Sequence, residues 1–347
     1  MDDVAMPLPS SGATDDIAVN ADSQRSRETR QDEPIGEGAR LIRGGELAPL
    51  WAHGGSRDDS LVTLPMSLAA DPERVVVYDG MDGRFTAYSA STGEVQWQVG
   101  RRGKGPDEYS AFVTVARTPG GDFLALDWQN LRLTYLEPST GSTRRMVRWR
   151  VLSAPRDACV TADDRLLTLS SRSGGQPPLI WLADSVVVLE VPLPWPDARE
   201  LHQLATQSLL AAGPRGDCVL ALKYGPGFAL YRQQDSLPLY ARDYVEPVPF
   251  PALTRETGAG GTFIRFQKGL VRAAHAAAVD EAELLVAFGG RSKFRDRLVD
   301  RYALEDGVYM SSFLLPFTPS GMATGGGRVF VIDTEDDYPA VRAFMVP

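Results

Sequence analysis

The chain has 347 residues, of which 43% are hydrophobic and 9% aromatic, so a large core can form. Lys and Arg number 36 against 45 Asp and Glu, a formal net charge of -9. A surface of that sign disfavours nucleic acid as a partner, and no apolar run approaches the roughly 20 residues that span a bilayer. The sequence therefore predicts no nucleic-acid partner and no transmembrane segment of its own.

The first 40 residues differ in composition from the rest of the chain. They contain nine Asp and Glu against four Arg, lack hydrophobic periodicity and are rich in Ser, Gly and Pro. Such a segment cannot bury enough apolar surface to offset the entropy lost when it is ordered. We therefore predict that residues 1–40 are a disordered or partner-bound acidic tail ahead of one domain at 41–347.

Six strongly apolar segments recur along that domain. Short turn signals such as Gly120-Gly121 precede them, which places each segment antiparallel to the strand before it. Their first residues lie 48, 43, 52, 66 and 45 positions apart, the period of a four-stranded propeller blade. The six segments are RVVVYD (74–79), DFLALD (122–127), RLLTLS (165–170), DCVLAL (217–222), ELLVAF (283–288) and RVFVID (328–333).

The other strands complete the blades. An amphipathic third strand follows each marker, and a fourth follows in five blades, whereas the sixth blade has none. The apolar segment 46–53 supplies the missing strand and removes an open sheet edge. We predict an all-β fold, a six-bladed β-propeller of four-stranded antiparallel blades whose last blade is closed by an N-terminal strand. The predicted blades cover about 62–105, 110–152, 156–195, 204–246, 268–317 and 319–347 with 46–53, and an insertion rich in Pro and Gly occupies 246–268.

The two cysteines, Cys159 and Cys218, are too few for a disulfide framework and lack metal-site spacing. We expect two buried thiols in neighbouring blades, because free Cys behaves as a small apolar residue. The alternative is a single disulfide, which would point to an oxidising compartment.

Two turn motifs resemble those of a known family. GRRGKGPDEY (100–109) is similar to the glycine-rich link, and DWQNLRL (127–133) looks like the Asp-x-x-Asn-x-Arg turn, of bacterial six-bladed propellers of the NHL-like and TolB-like kind. The resemblance covers residues 46–347. It implies the fold and says little about activity, because propellers host lyases, lactonases and scaffolds. It also implies a periplasmic or extracytoplasmic location, although the N-terminus has no signal-peptide pattern.

The resemblance brings a metal-dependent enzyme into consideration. Propeller lyases hold an axial metal with histidines, and propeller lactonases hold a divalent cation with oxygen ligands. The candidates here are His275, on a predicted inner strand, and Asp127 and Asn130, at the end of a marker strand. The alternative is structural, in which His275 packs in the channel and Asp127 caps the following turn.

The glycine link at 100–106 has a second interpretation as well. Its backbone N–H groups, with Arg101, Arg102 and Lys104, form a pattern that can cradle an anion. The alternative is a simple crossover between blades one and two, in which the glycines permit the turn.

Arginine and aromatic side chains on predicted outer strands are the candidates for protein binding. Such side chains anchor protein interfaces, and the strand STRRMVRWR adds a basic stripe to an acidic protein, which suits an acidic protein partner. The alternative for the aromatic residues is packing between blades. The candidate residues are Arg144, Arg145, Arg148, Trp149, Trp181 and Trp195.

These patterns favour a non-catalytic propeller that binds another protein, as an extracytoplasmic accessory subunit of a larger membrane complex, with no cofactor. The sequence contains no Gly-x-Ser-x-Gly elbow, P-loop, His-Glu-x-x-His or Cys-x-x-Cys motif. One alternative is a lactonase-like hydrolase or lyase with Ca or Zn at the propeller axis, and another is ligand sensing without turnover. The partner, the ligand and the oligomeric state do not follow from the sequence.

Overall fold

The described part of the chain is built almost entirely from β-strands, with one short 3-10 helix at Pro196–Glu200. Of the predicted acidic tail, only Arg40 belongs to that part. Among the described residues there is no helix long and apolar enough to cross a bilayer. A computed structural model describes residues 40–347 except 57–58, 60–61, 149–154, 171–178, 184–185, 203, 233–236, 259–260, 292–293 and 336.

Six antiparallel sheets form the blades, and each sheet takes at least three consecutive strands from the chain. Two early strands, β1 (Ile42–Glu46) and β2 (Trp51–Gly54), join sheets that are formed much later in the sequence. The remaining blade strands are, in blade one, β3 (Pro65–Ala70), β4 (Arg74–Asp79), β5 (Arg84–Ser89) and β6 (Val95–Val99); in blade two, β9 (Val113–Arg117), β10 (Phe123–Asp127), β11 (Arg132–Leu136) and β12 (Thr143–Arg148); in blade three, β13 (Pro155–Val160), β14 (Leu166–Ser170), β15 (Leu179–Ala183) and β16 (Val186–Val191); in blade four, β17 (Ser208–Ala212), β18 (Cys218–Leu222), β19 (Gly227–Tyr231) and β20 (Tyr240–Asp243); in blade five, β23 (Ala274–Val279), β24 (Glu283–Phe288), β25 (Leu298–Ala303) and β26 (Tyr309–Leu314); and in blade six, β27 (Pro319–Gly325), β28 (Arg328–Asp333) and β29 (Ala340–Met345).

The first strands of the blades form a closed ring. Each of β3, β9, β13, β17, β23 and β27 contacts the first strand of the blade before it and of the blade after it. The second strands lie between neighbouring blades and are buried on both faces, which explains why the six marker segments are apolar throughout rather than alternating. The predicted six-bladed β-propeller is confirmed.

The last blade is closed by β2, which pairs antiparallel with β29. Trp51 lies opposite Ala343, and its indole N–H donates to the Ala90 carbonyl of blade one at 3.1 Å. The closing strand is therefore Trp51–Gly54, shorter than the predicted 46–53, and Glu46 belongs to β1 instead.

Blade five has a fifth strand that the sequence did not reveal. Strand β1 pairs parallel with β26, and Arg40 just before it enters a buried acidic pocket. The Arg40 guanidinium donates to Asp300 at 2.9 Å and to Glu246 at 2.9 Å, and it lies over the Phe288 ring. Burial alone would lower the pKa of Arg40, but these carboxylates outweigh it, so the pKa is raised and the guanidinium stays charged.

The two cysteines form a disulfide, so the expectation of two free thiols is wrong. Cys159 on β13 and Cys218 on β18 are fully buried, and their Cα atoms are 5.7 Å apart. That separation is within the usual range for a disulfide. The pairing arises because the inner strand of blade three faces the second strand of blade four across the layer between the blades.

Two small sheets lie outside the blades. Strands β7 (Arg101–Arg102) and β8 (Glu108–Tyr109) pair parallel in the link between blades one and two. Strands β21 (Leu253–Gly258) and β22 (Gly261–Phe266) form an antiparallel ribbon between blades four and five. The inner strands of all six blades begin at one end of the ring, which we call the entry end, and the loops after the second strands return there.

Candidate functional site

Asp127 and Asn130 hold the joint between blades one and two. Asp127 is fully buried, and its carboxylate accepts hydrogen bonds from the Ser110 N–H at 3.0 Å and from the Asn130 side-chain amide at 2.8 Å. The same amide donates to the Gly103 carbonyl at 3.0 Å. Asp127 and Asn130, which belong to the turn motif of the family resemblance, thus attach the glycine link to blade two. Both residues have the structural role that the sequence analysis gave as the alternative to metal binding.

The glycine link holds a carboxylate of the chain itself. Glu108 accepts hydrogen bonds from the Gly105 N–H at 2.8 Å and the Lys104 N–H at 3.0 Å, and it pairs with Arg101 at 2.8 Å. These contacts, the Gly105 hydrogen bond first, lower the pKa of Glu108. A Cβ at position 103 would overlap the carboxylate, so Gly103 is required there. The predicted anion cradle exists, and Glu108 fills it.

The third metal candidate lies elsewhere in the ring. His275 is at the start of β23 in blade five, whereas Asp127 and Asn130 are in blade two. The structure therefore does not bring the three candidates together. In the part of the chain that the structure describes, no three His, Cys, Asp or Glu side chains are grouped as metal ligands.

The ring surrounds a small, partly open axial cavity that is lined by residues from all six inner strands. Its volume is about 70 Å³, and its walls are mostly alanine, valine and leucine. The charged residues of its lining are Arg117, Asp157 and Asp280. The cavity is therefore large enough for a few water molecules, each of which needs roughly 10–15 Å³ on this measure.

Asp157 links the neighbouring inner strands of blades three and four at the wall of this cavity. Its carboxylate accepts hydrogen bonds from the Leu210 N–H at 2.8 Å and from its neighbour Ala158 at 3.0 Å. Burial raises the pKa of Asp157 to about 6, although these bonds and the charge of Lys223 act in the opposite direction. Strand β17 is the innermost strand of blade four, so no further strand pairs with its inner edge. The Asp157 carboxylate accepts the hydrogen bond of a backbone N–H on that edge.

The arginines predicted to bind protein lie on β12, the outermost strand of blade two. Arg144 and Arg145 have side chains that are 53% and 47% exposed, and Arg148 is exposed as well. Arg144 pairs with Asp122 at 2.9 Å, and Arg145 lies over the Tyr135 ring. These side chains form an exposed basic edge whose charge is partly matched by Asp122 of the same blade and by Asp164 of blade three.

The predicted surface tryptophans have different positions. Trp149 lies outside the described residues. Trp181 is fully buried, in the apolar layer between blades three and four that also contains the Cys159–Cys218 disulfide, and Trp195 packs half-buried against that layer. Trp181 therefore follows the alternative of packing between blades and is not a surface candidate, because its strand is the third of the blade and is covered on both faces.

The insertion predicted at 246–268 forms the ribbon of β21 and β22. One face of the ribbon packs on blade four, where Phe266 contacts the Tyr224 ring at a centroid distance of 4.9 Å. The opposite face contains Phe263, which is 59% exposed, directly across from Glu256. Glu256 in turn pairs with Arg265. The ribbon thus presents an aromatic side chain between charged ones to the solvent.

A series of side-chain contacts connects the ribbon to blade five at the entry end. Arg272 approaches the Tyr224 hydroxyl at 3.4 Å and His275 Nδ1 at 3.3 Å, and His275 Nε2 lies 2.7 Å from Asp296. Burial lowers the pKa of His275, and the Asp296 hydrogen bond opposes that effect. Asp296 adopts a left-handed backbone with φ 70°, in the loop after β24. Three separate segments therefore meet in one continuous surface.

We call this surface the insertion face and define it as the ribbon, residues 268–272 and the described residues of the loop 289–296. Its described residues include six cations and two carboxylates, in a chain whose net charge is -9. Sequence reasoning located the insertion but gave it no role. The missed signal was the local excess of Arg and Lys, which becomes one patch only after folding. The charged residues are Arg255, Glu256, Arg265, Lys268, Arg272, Arg291, Arg295 and Asp296.

The chain is similar in backbone to solved β-propellers. It matches the WD40 propeller domain of Doa1 at 12% identity and a TM-score of 0.49, covering 88% of this chain and 98% of that one. It matches virginiamycin B lyase from Staphylococcus aureus at 11% identity and a TM-score of 0.46, covering 85% and 99%. It matches BamB from Moraxella catarrhalis at 12% identity and a TM-score of 0.36, covering 81% and 85%. No protein-family model and no curated protein matches the chain.

Proposed function

We propose that this chain is a non-catalytic β-propeller that binds another protein. The observation that carries this proposal is the ribbon of the insertion face, a sheet of only two strands with Phe263 59% exposed. Two strands alone are marginally stable in water, and exposed aromatic side chains beside arginines are typical of interface anchors. The ribbon adds nothing to the closure of the ring, so a role in contact with a partner explains its presence.

The size of the axial cavity supports a binding role over catalysis at the axis. A volume of about 70 Å³ is well below the roughly 300–1,000 Å³ of small-molecule sites. The polar atoms of Asp127 and Asn130, which were the candidates for an axial cation, are engaged with backbone groups of the blade joint.

The finer proposal is an extracytoplasmic accessory subunit of a larger complex. The Cys159–Cys218 disulfide supports this location, because disulfides persist in oxidising compartments and are rare in the cytosol. The resemblance of the glycine link and the Asp-x-x-Asn-x-Arg turn to exported NHL-like and TolB-like propellers points the same way.

The edge of blade two is a second candidate surface for a partner. Arg144, Arg145 and Arg148 are exposed along β12, the last strand of its sheet. An edge strand with unpaired backbone groups can accept a partner strand, but charged side chains on an edge also protect it from such pairing. We therefore place the insertion face ahead of this edge.

The experiment is affinity purification of the full chain from its source cells, followed by reconstitution with the purified partner and native mass measurement. A Phe263→Asp variant tests the insertion face, and Leu237→Asp is the matched control, because Leu237 is 66% exposed in the turn before β20, at the opposite end of the ring. We expect the first variant to lose the complex and the second to keep it. Free monomer as the only species from the unmodified chain would contradict the proposal.

A further inference from the structure

The insertion face differs in charge from the protein as a whole. Six described cations stand against two carboxylates there, whereas the chain has nine more acids than bases. Like charges held close together repel one another, and this repulsion is relieved when a surface of opposite sign covers them. The fold therefore maintains a local basic patch against the overall sign of the protein.

The two carboxylates of the face already have partners within it. Glu256 pairs with Arg265, and Asp296 lies 2.7 Å from His275 and 3.9 Å from Arg295. They are therefore less available to neutralise Arg255 and Lys268. Lys268, just after β22, is exposed, and so is Arg255, although Arg255 is on the ribbon face opposite Phe263. Both charges are therefore open to solvent.

The face also has an apolar component among its charges. Phe263 is 59% exposed and Leu270 is 38% exposed, and both belong to the segment that bears Arg265 and Lys268. A purely electrostatic site for a polyanion needs no such side chains, whereas aromatic anchors within a charged rim are typical of protein interfaces.

From these observations we infer that the insertion face binds an acidic, extended protein segment with an apolar side chain among its carboxylates. This inference rests on the proposed function and names the chemistry of the partner. Arg265, which the segment shares with Glu256, and Lys268 pair with the carboxylates of the segment, and Phe263, on the same ribbon face as Arg265, packs against its apolar side chain.

The test is fluorescence anisotropy with the full chain and a labelled twelve-residue peptide of glutamates with a central Leu and Phe. A Lys peptide of the same design and a single-stranded DNA of twelve nucleotides are the comparison probes. We expect saturable binding of the acidic peptide that weakens as salt is raised, and no saturable binding of the other two. Equal or tighter binding of the DNA would overturn the inference in favour of a nucleic-acid site.

The matched variants locate the site. Arg265→Glu combined with Lys268→Glu reverses two exposed charges beside Phe263, and we expect roughly tenfold weaker binding of the acidic peptide. Arg144→Glu combined with Arg148→Glu makes the same charge change on blade two, and we expect less than about a twofold effect. The reverse order of the two effects would contradict the inference, as would an unmodified chain that fails to bind the peptide.

The proposed function is tested separately, by native mass measurement of the complex with the purified partner. If that complex forms, but the chain does not bind the acidic peptide and charge reversal does not weaken the complex, the inference fails and the proposed function stands. If no complex forms either, both fail.

Discussion

The outermost strand of the four-stranded blade is covered by a further strand in blade five but is left as an open edge in blade two. In blade five, β1 covers the edge of β26, and Arg40 lies between Asp300 and Glu246, whose side chains are 0% and 8% exposed. In blade two, β12 is the last strand of its sheet, and its arginines are exposed to solvent. A sheet edge can be protected by covering it or by placing charges on it. Since charged side chains on an edge strand can protect it from pairing, we rank the insertion face ahead of β12 as the candidate for partner binding.

The largest expected effect is the difference in stability between a variant of the buried Arg40 and a variant of the exposed Arg144. Arg40→Ala leaves two buried carboxylates without a cation, so we expect the free energy of unfolding to fall by about 3–5 kcal/mol. Arg144→Ala removes an exposed partner of Asp122 and is expected to cost less than about 1 kcal/mol. Urea unfolding of both variants measures the difference. Equal losses would show that Arg40 is not the anchor of blade five.

The next largest effect is expected for the disulfide that joins blades three and four, which lie between blades two and five in the ring. Replacing Cys159 and Cys218 together by Ala removes a covalent link between residues 59 positions apart. We expect a loss of about 2–4 kcal/mol in the free energy of unfolding under oxidising conditions. Free thiols in the purified unmodified protein, measured by thiol titration after denaturation, would contradict the assigned pairing.

A smaller effect on stability is expected from Asp157, which also joins blades three and four. Its pKa of about 6 in the fold lies above the ordinary value of 3.8, so the folded chain binds this proton more tightly than the unfolded chain does. This contribution to stability is fully present below about pH 4 and is lost as the pH rises through about 6. We expect Asp157→Asn to remove that part of the slope of stability against pH. An unchanged slope between pH 4 and 6.5 would mean that Asp157 is ionised normally in the fold.

The smallest change in stability is expected at the edge of blade two. Replacing Arg144, Arg145 and Arg148 by Thr keeps a strand-forming sequence but removes the charges. We expect the free energy of unfolding to change by less than about 1 kcal/mol, while the protein begins to associate at high concentration. Light scattering measures this association, and the corresponding Lys variants are the control. If the Thr variant stays monomeric, the arginines do not protect the edge and their docking role becomes the better explanation.

The sequence was sufficient for the fold because the propeller repeats one pattern. Each second strand is buried on both faces, so six apolar segments at a regular spacing identify six blades. Strand β1, IRGGE, was missed because it contains two glycines and a terminal charge and has no alternating apolar pattern. Its place depends on a parallel pairing with β26 and on Arg40, both of which join residues more than 250 positions apart.

The candidate site was less predictable than the fold. The cations of the insertion face come from the ribbon, from 268–272 and from 289–296, and no one of these segments is strongly basic by itself. The disulfide was hard to predict for the same reason, because Cys159 and Cys218 are far apart in the sequence and meet only where two neighbouring blades are in contact. For Trp181 the sequence left both surface binding and packing between blades open, because it does not reveal that a third strand is covered on both faces.

Hydrogen–deuterium exchange of the full chain, alone and in complex with its purified partner, tests the central claim most directly. We predict that binding protects backbone amides of the ribbon, Leu253–Gly258 and Gly261–Phe266, and of the loop 289–296, while exchange along β12 is unchanged. Protection confined to β12, or no protection anywhere at the entry end, would contradict the claim that the insertion face is where this propeller binds protein.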